Sequence, residues 1–257
     1  MKEGQRLWTR DELILAINLY CKMEFGKMSA GNPKIKELAA LIGRSPSSVV
    51  FKLGNFGSLD PTLKARGVGG LPNIGKLDKE IWNEFNNDWS SRLIESEKLL
   101  AKYKNTTIEK LNELDLFDFN KEGLTKERLV KTRVNQNIFR TIIMANYNYK
   151  CCITGIANPE LLISSHIMPW SDDEKNRLNP MNGIALNALH DKAFDAHLIT
   201  ISADDYTIKV SNTFKKKENS LSIKQNFLEF EGKQIYLPDK FLPNREFLKR
   251  HNQKLKN

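Results

Sequence analysis

His166, Asn182, His190, Asp191 and Asp195 follow one another closely enough to serve one reaction centre. Hydrolysis of a phosphodiester at neutral pH needs a base to activate water, and histidine has the side-chain pKa nearest that pH. It also needs a divalent cation to offset the charge that builds on the phosphate and on the leaving oxygen. Carboxylates suit magnesium or manganese, and imidazole also admits zinc or nickel. Asp191 and Asp195 are four residues apart, so on a helix both project from one face and can hold an ion between them. His190 is turned about a quarter of a revolution from that face and either joins the site or packs.

The residues around them predict the elements that carry them. The run LLISS predicts a short strand that delivers His166 at its end. A polar loop follows, then a second apolar run, GIALN, and then a helical segment bearing the two aspartates. The order is strand, loop, strand, helix.

This segment resembles the HNH endonuclease family, a ββα-metal fold, in the variant with CxxTG before the hairpin. The resemblance rests on RVNQNIFR at 133–140, CCITG at 151–155, SHIMPW, NPMNGIAL, FDAHLITI and the tail GKQIYLPDKFLP, so it covers roughly the C-terminal half of the chain. It implies that His166 is the general base, that Asn182 braces the loop orienting it, and that Asp191 with Asp195 or His190 forms the metal-binding face. Where many members of the wider family carry Asp or His directly before the base, this chain has Ser165, a poor ligand. Cys151 and Cys152 are adjacent and the third cysteine is Cys21, so the paired CxxC knuckles of zinc-binding relatives are absent from the sequence.

Charge agrees with a nucleic-acid partner. The chain has 40 Lys and Arg against 31 Asp and Glu, a formal net charge of +9, which favours phosphate through counterion release. Residues 121–150 hold seven basic side chains against two acids and lead into the HNH-like segment. Lys131, Arg133 and Arg140 are the DNA-contact candidates there. The polar start MKEGQRLW predicts no signal peptide, no run approaches the roughly 20 apolar residues of a spanning helix, and three cysteines make no disulfide framework. These features predict a cytoplasmic protein without a membrane partner.

The N-terminal part reads as a separate helical module. Thr9 and Glu12 predict a capping box that opens a helix running to about Phe25. A second helix has Ile35, Leu38, Ala39 and Ile42 inward, Gly43 breaks it, Ser45 caps a third, and Pro46 takes its first position. Helix, glycine turn, helix is the helix-turn-helix pattern, in which the second helix enters the major groove. Arg44, Ser47, Ser48, Lys52 and Asn55 are the candidate contacts to bases or phosphates; a structural or dimerising bundle is the competing reading, and it keeps a homodimer open. The glycine-rich RGVGGLPNIGK lacks the GK[ST] ending of a phosphate loop and reads as a surface turn. From Asp78 to Lys104 apolar residues recur at helical spacing, as in one packing helix joining the halves. The stretch 105–125, with the acidic patch ELDLFDFNKEG, reads as a linker. LITISADDYTIKVS predicts a β-hairpin turning at Ala203 to Asp205, and the tail ends in a basic helix whose His251 reads as a surface residue.

The resulting expectation is an α+β chain in three parts. Residues 1–75 form a helix-turn-helix-like reading domain, 76–125 a connecting helix and linker, and 126–257 an HNH nuclease domain. Its activity is metal-dependent cleavage of double-stranded DNA in restriction or defence. The alternative is a DNA-binding regulator with an inactive HNH-like module.

Overall fold

The computed structural model describes residues 6–68, 74–112, 126–216 and 220–256. The heart of the glycine-rich stretch (69–73), the acidic patch and the rest of the linker (113–125) lie outside the described residues, as do the side chains of 126–129. The architecture is α+β, in two compact units, Met1–Ile142 and Ile143–Asn257.

The first unit is helical. Helix α1 (Arg10–Cys21) opens on the expected capping box, with Thr9 accepting from the Glu12 amide and Glu12 accepting from the Thr9 amide. It stops at Cys21, short of Phe25, where a 3-10 turn at Phe25–Lys27 takes over. Leu13 through Ile17 are all buried, because α1 is apolar all round and so sits in the middle of the bundle. Around it pack α2 (Pro33–Leu41), α3 (Pro46–Leu59), α5 (Lys76–Asn87) and α6 (Trp89–Tyr103); a short α4 (Pro61–Ala65) follows α3. Gly43, at φ +63, ends α2, and the Arg44 amide closes the turn on the Ala39 carbonyl at 2.8 Å. Ser45 then caps α3 through the Ser48 amide, with Pro46 in its first turn. Ile35, Leu38, Ala39 and Ile42 are buried, as the spacing predicts.

The expected single helix from Asp78 to Lys104 is two. Asp88 leaves the helical conformation (φ −155, ψ 79) and its carboxylate caps α6 by accepting from the Ser91 amide. That break turns Trp82 and Trp89 edge to face, centroids 6.3 Å apart, and Trp82 also meets Tyr20 and Phe56. Because α5 packs on α1 and α3, and α6 on α1, these helices belong to the N-terminal bundle and do not merely connect two halves. Aromatic burial of this kind dominates a small core. Helix α7 (Ile108–Leu111) follows α6, and α8 (Lys126–Asn146) crosses the division between the units. The two compact units divide after residue 142.

In the second unit Cys151–Gly155 forms a tight turn, Gly155 at φ +74 donating to the Cys151 carbonyl, and the Cys152 amide bonds the Ala185 carbonyl. This staples the turn to a hairpin of β1 (Leu162–His166) and β2 (Gly183–Asn187), antiparallel with His166 opposite Gly183 and Ser165 opposite Ile184. Asn187 ends β2 and caps α9 (Ala188–Asp195), so strand passes into helix without a loop, and α9 packs on both strands. The expected second hairpin follows as β3 (Ile199–Ile201) and β4 (Ile208–Val210). Short helices α10 (Asn212–Lys215) and α11 (Leu221–Asn226) lead to α12 (Arg245–Asn252), which packs on β3. Cys21, Cys151 and Cys152 are free and buried.

Candidate active site

The β1 strand, the loop after it and α9 enclose an open cleft of 470 Å³ whose wall includes Ser165, His166, Trp170, Asp191, Asp195, His197, His251 and Lys254. His166, Asp191 and Asp195 thus come together as their spacing predicts.

His166 is held from both sides. Its Nε2 lies 2.9 Å from the Arg177 carbonyl, and a carbonyl only accepts, so Nε2 carries the proton and Nδ1 the lone pair. Trp170 stands edge-on to the ring at 5.5 Å. Burial holds the imidazole below the ordinary histidine pKa of 6.5, with the Arg177 bond opposing, so the ring is neutral at pH 7 as a base must be. Asn182, 1% exposed, fastens the connecting loop at two points: Oδ1 accepts from the Met168 amide at 2.8 Å, and Nδ2 donates to the Asn176 carbonyl at 3.0 Å. The Arg177 guanidinium bonds the Trp170 carbonyl and lies over the Trp170 ring at 5.3 Å. The loop that sets the histidine is therefore wired to itself and to Asn182.

Asp191 is partly buried and Asp195 more exposed, and desolvation raises both carboxyl pKa values above 3.8; for Asp191 the neighbouring Asp195 adds to the rise. The Ser165 hydroxyl is buried and meets no partner at hydrogen-bonding geometry, yet it lies near enough to Asp191 to offset part of that rise. Two adjacent carboxylates with raised pKa values beside an orphaned hydroxyl suit a divalent cation, whose charge would relieve the repulsion and desolvation together. Among the described residues no group of three or more His, Cys, Asp or Glu side chains is arranged to hold a metal, so the remaining ligands would be water or substrate oxygens, as magnesium accepts.

His190 is a correction to the expected ligand set. It is 2% exposed, its Nδ1 accepts from Asn187 Nδ2 at 3.1 Å, and its Nε2 donates to the Asn226 carbonyl at 2.7 Å. Phe227 and Phe230 meet the ring edge-on. Both nitrogens are spent on packing, and His190 does not line the cleft. Burial pushes the nearby Cys151 thiol up, but the His190 and Thr154 side chains and the turn amides outweigh it and bring its pKa to about 7.

His251 is a second correction. It is buried, not on the surface, stacked on Phe194 with centroids 3.7 Å apart. Burial, with His197 and Lys254 adding, lowers its pKa to about 3. His197, also on the cleft wall, was not singled out by sequence; the only signal was its place in FDAHLITI, and its φ of +54 is unusual for a residue with a side chain. The Arg177 carbonyl left no sequence signal, since any residue supplies one.

Three of the helix-turn-helix candidates are turned into the protein. Arg44 pairs with Glu12 at 2.7 Å, donates to the Leu7 carbonyl and stacks on Trp8. Lys52 reaches both Asp78 oxygens at 2.9 Å, and Asn55 donates to Asp78 at 2.7 Å. Lys52 and Asn55, three apart on α3, share the face that meets the start of α5. Ser47 is exposed and Ser48 partly so; Phe51, which the sequence reading passed over, is 62% exposed on the outer face. On α8 Lys131 is exposed while Arg133 and Arg140 are partly buried.

Two strands feed a helix, with histidine at the end of the first strand and carboxylates on the helix, which is the strand, loop, strand, helix order that the sequence predicts. Residues 151–202 match the family model described as HNH endonuclease, so the chain carries an HNH family domain. No curated protein matches the chain. Among the described residues no helix is long and apolar enough to cross a membrane.

Proposed function

We propose that this protein is a metal-dependent endonuclease acting on double-stranded DNA, with His166 as general base. The observation that carries the reading is the convergence of His166, Asp191 and Asp195 on one cleft, inside the segment that matches the HNH model. The Nδ1 lone pair of His166 takes a proton from water, while the Arg177 carbonyl and Asn182 hold the ring and its loop. Asp191 and Asp195 would hold a magnesium or manganese ion, which when bound offsets charge on the phosphate and leaving oxygen. The basic balance of the chain supports a polyanionic substrate. Service in restriction or defence, in the cytoplasm, is the biological setting we attach to it, with the helical unit choosing the target through the Ser47, Ser48 and Phe51 face of α3.

The test is plasmid cleavage by pure protein with magnesium or manganese, with chelator, and with His166→Ala. Metal-dependent cutting lost in the variant supports the reading. DNA binding without cutting under every metal condition would favour the regulator instead.

A further inference from the structure

A chain of hydrogen bonds behind the cleft fixes the protonation of His197. Asn252 Oδ1 accepts from the Ala203 amide, so its Nδ2 is the group facing the Ile201 carbonyl at 2.7 Å and Thr200 Oγ1 at 2.8 Å. Thr200 accepts from Asn252 on one side and lies 2.7 Å from His251 Nδ1 on the other, and it gives its proton there because the other ring nitrogen, Nε2, needs its own proton for the Phe194 carbonyl. With Nδ1 accepting, neutral His251 keeps its proton on Nε2, which faces the Phe194 carbonyl at 3.2 Å, a group that only accepts. The same Nε2–H faces His197 Nδ1 at 3.2 Å. That nitrogen must then hold a lone pair, and neutral His197 carries its proton on Nε2. The opposite assignment would set a lone pair of His251 against the Phe194 carbonyl oxygen. An Nε2–H has no lone pair for a metal, so His197, although it shares the cleft with two aspartates, is not their third ligand. What it offers is a donor. Lys254, on the same wall and 4.0 Å from Asp172, adds a positive charge.

We propose that His197 donates Nε2–H to a non-bridging phosphate oxygen of the DNA strand in the cleft, with Lys254 as the adjacent charge and His251, Thr200 and Asn252 as positioning residues. The identity of the anion rests on the nuclease reading; the tautomer does not.

The chain has four histidines, so imidazole ¹⁵N spectra of the full-length protein resolve each, assigned by single substitutions. In chelator, His197 and His251 are expected as Nε2–H tautomers, and a short duplex should shift Nε2 of His197. Thr200→Val should release the His197 tautomer and Thr200→Ser restore it, which a purely structural threonine would not do. Cleavage by His197→Ala should fall about 10- to 100-fold, as for a lost hydrogen bond to a charged group, with His197→Gln recovering part. An Nδ1–H tautomer at His197, a bound duplex that leaves His197 unmoved, or full activity in His197→Ala overturns the proposal. If no duplex binds, the nuclease reading fails, and inorganic phosphate decides the subsite: a shift at His197 keeps it, none removes it.

Discussion

Replacing Lys52 separates a DNA-reading helix face from a scaffold. Lys52 Nζ bonds both oxygens of Asp78, with side-chain exposures of 12% and 2%, and Asn55 binds the same carboxylate. Asp78 also caps α5 by accepting from the Gly75 amide at 3.3 Å. In Lys52→Met the carboxylate loses its counter-ion but keeps Asn55 and the Gly75 amide. Breaking a buried pair costs about 3–5 kcal/mol, and the surviving partners place this variant at the lower end, about 3 kcal/mol. Asp78→Ala leaves the Lys52 ammonium and the Asn55 amide without their partner and removes the cap, so it should lose more, about 4–5 kcal/mol. Against a typical stability of about 5–15 kcal/mol these are large fractions. At roughly 1–3 kcal/mol per molar, the urea midpoint of Lys52→Met should fall by about 1–3 M. The double variant Lys52→Met/Asp78→Leu removes both charges and should regain part of the loss. DNA affinity of the folded Lys52→Met protein, and its slope against salt, should be unchanged. A stable Lys52→Met protein with uniformly weaker DNA binding and a flatter salt slope would refute the assignment and restore Lys52 as a phosphate contact.

The remaining predictions concern the cleft. His166→Ala should cut slower by a factor on the order of 10² to 10⁴ while binding DNA as before; because burial holds the pKa below 6.5, the parent's rate should be level above pH 7 and fall on acidification, and a rate still climbing tenfold per pH unit above 7 would remove His166 as the titrating base. Asp191→Asn should raise the metal concentration needed for half-maximal cutting, whereas His190→Ala should lower stability by about 2 kcal/mol or more without moving that titration in the folded protein; a shifted titration in the second variant would return His190 to the metal. His251 titrates at 6.5 unfolded and about 3 folded, so the unfolded state binds the extra proton in that window and stability is lost as pH falls through it. The ceiling is about 5 kcal/mol at roughly 1.4 kcal/mol per unit, and urea melts of His251→Phe should show a flatter slope between pH 6.5 and 3 than the parent; identical slopes would contradict the burial.

What the sequence made legible follows from how local each signal is. The Thr9 capping box, the Gly43 turn and Ser45 with Pro46 involve residues within a few positions of one another, and each stands where the spacing put it. So do the carboxylates of α9, because a four-residue step on a helix is fixed by backbone geometry alone. The misreadings share one cause: the deciding partner is remote in sequence. Lys52 and Asn55 looked outward until Asp78, more than twenty residues on, claimed them. His190 competed with Asp191 on paper, and the Asn226 carbonyl with Phe227 and Phe230 settles it into the core. His251 sits in a basic amphipathic tail, and only the packing of α12 on β3 brings it to Thr200, Phe194 and His197. Asp88 erred the other way: an acid inside a helical pattern is unremarkable in the sequence, yet its non-helical backbone splits the helix, and Trp82 and Trp89 on either side are both buried. The same logic bears on His166, the proposed base. Its place at the end of β1 was written in the strand that carries it, but the nitrogen left with the lone pair was not, since that depends on which nitrogen the Arg177 carbonyl occupies, and a backbone carbonyl has no residue type to announce it.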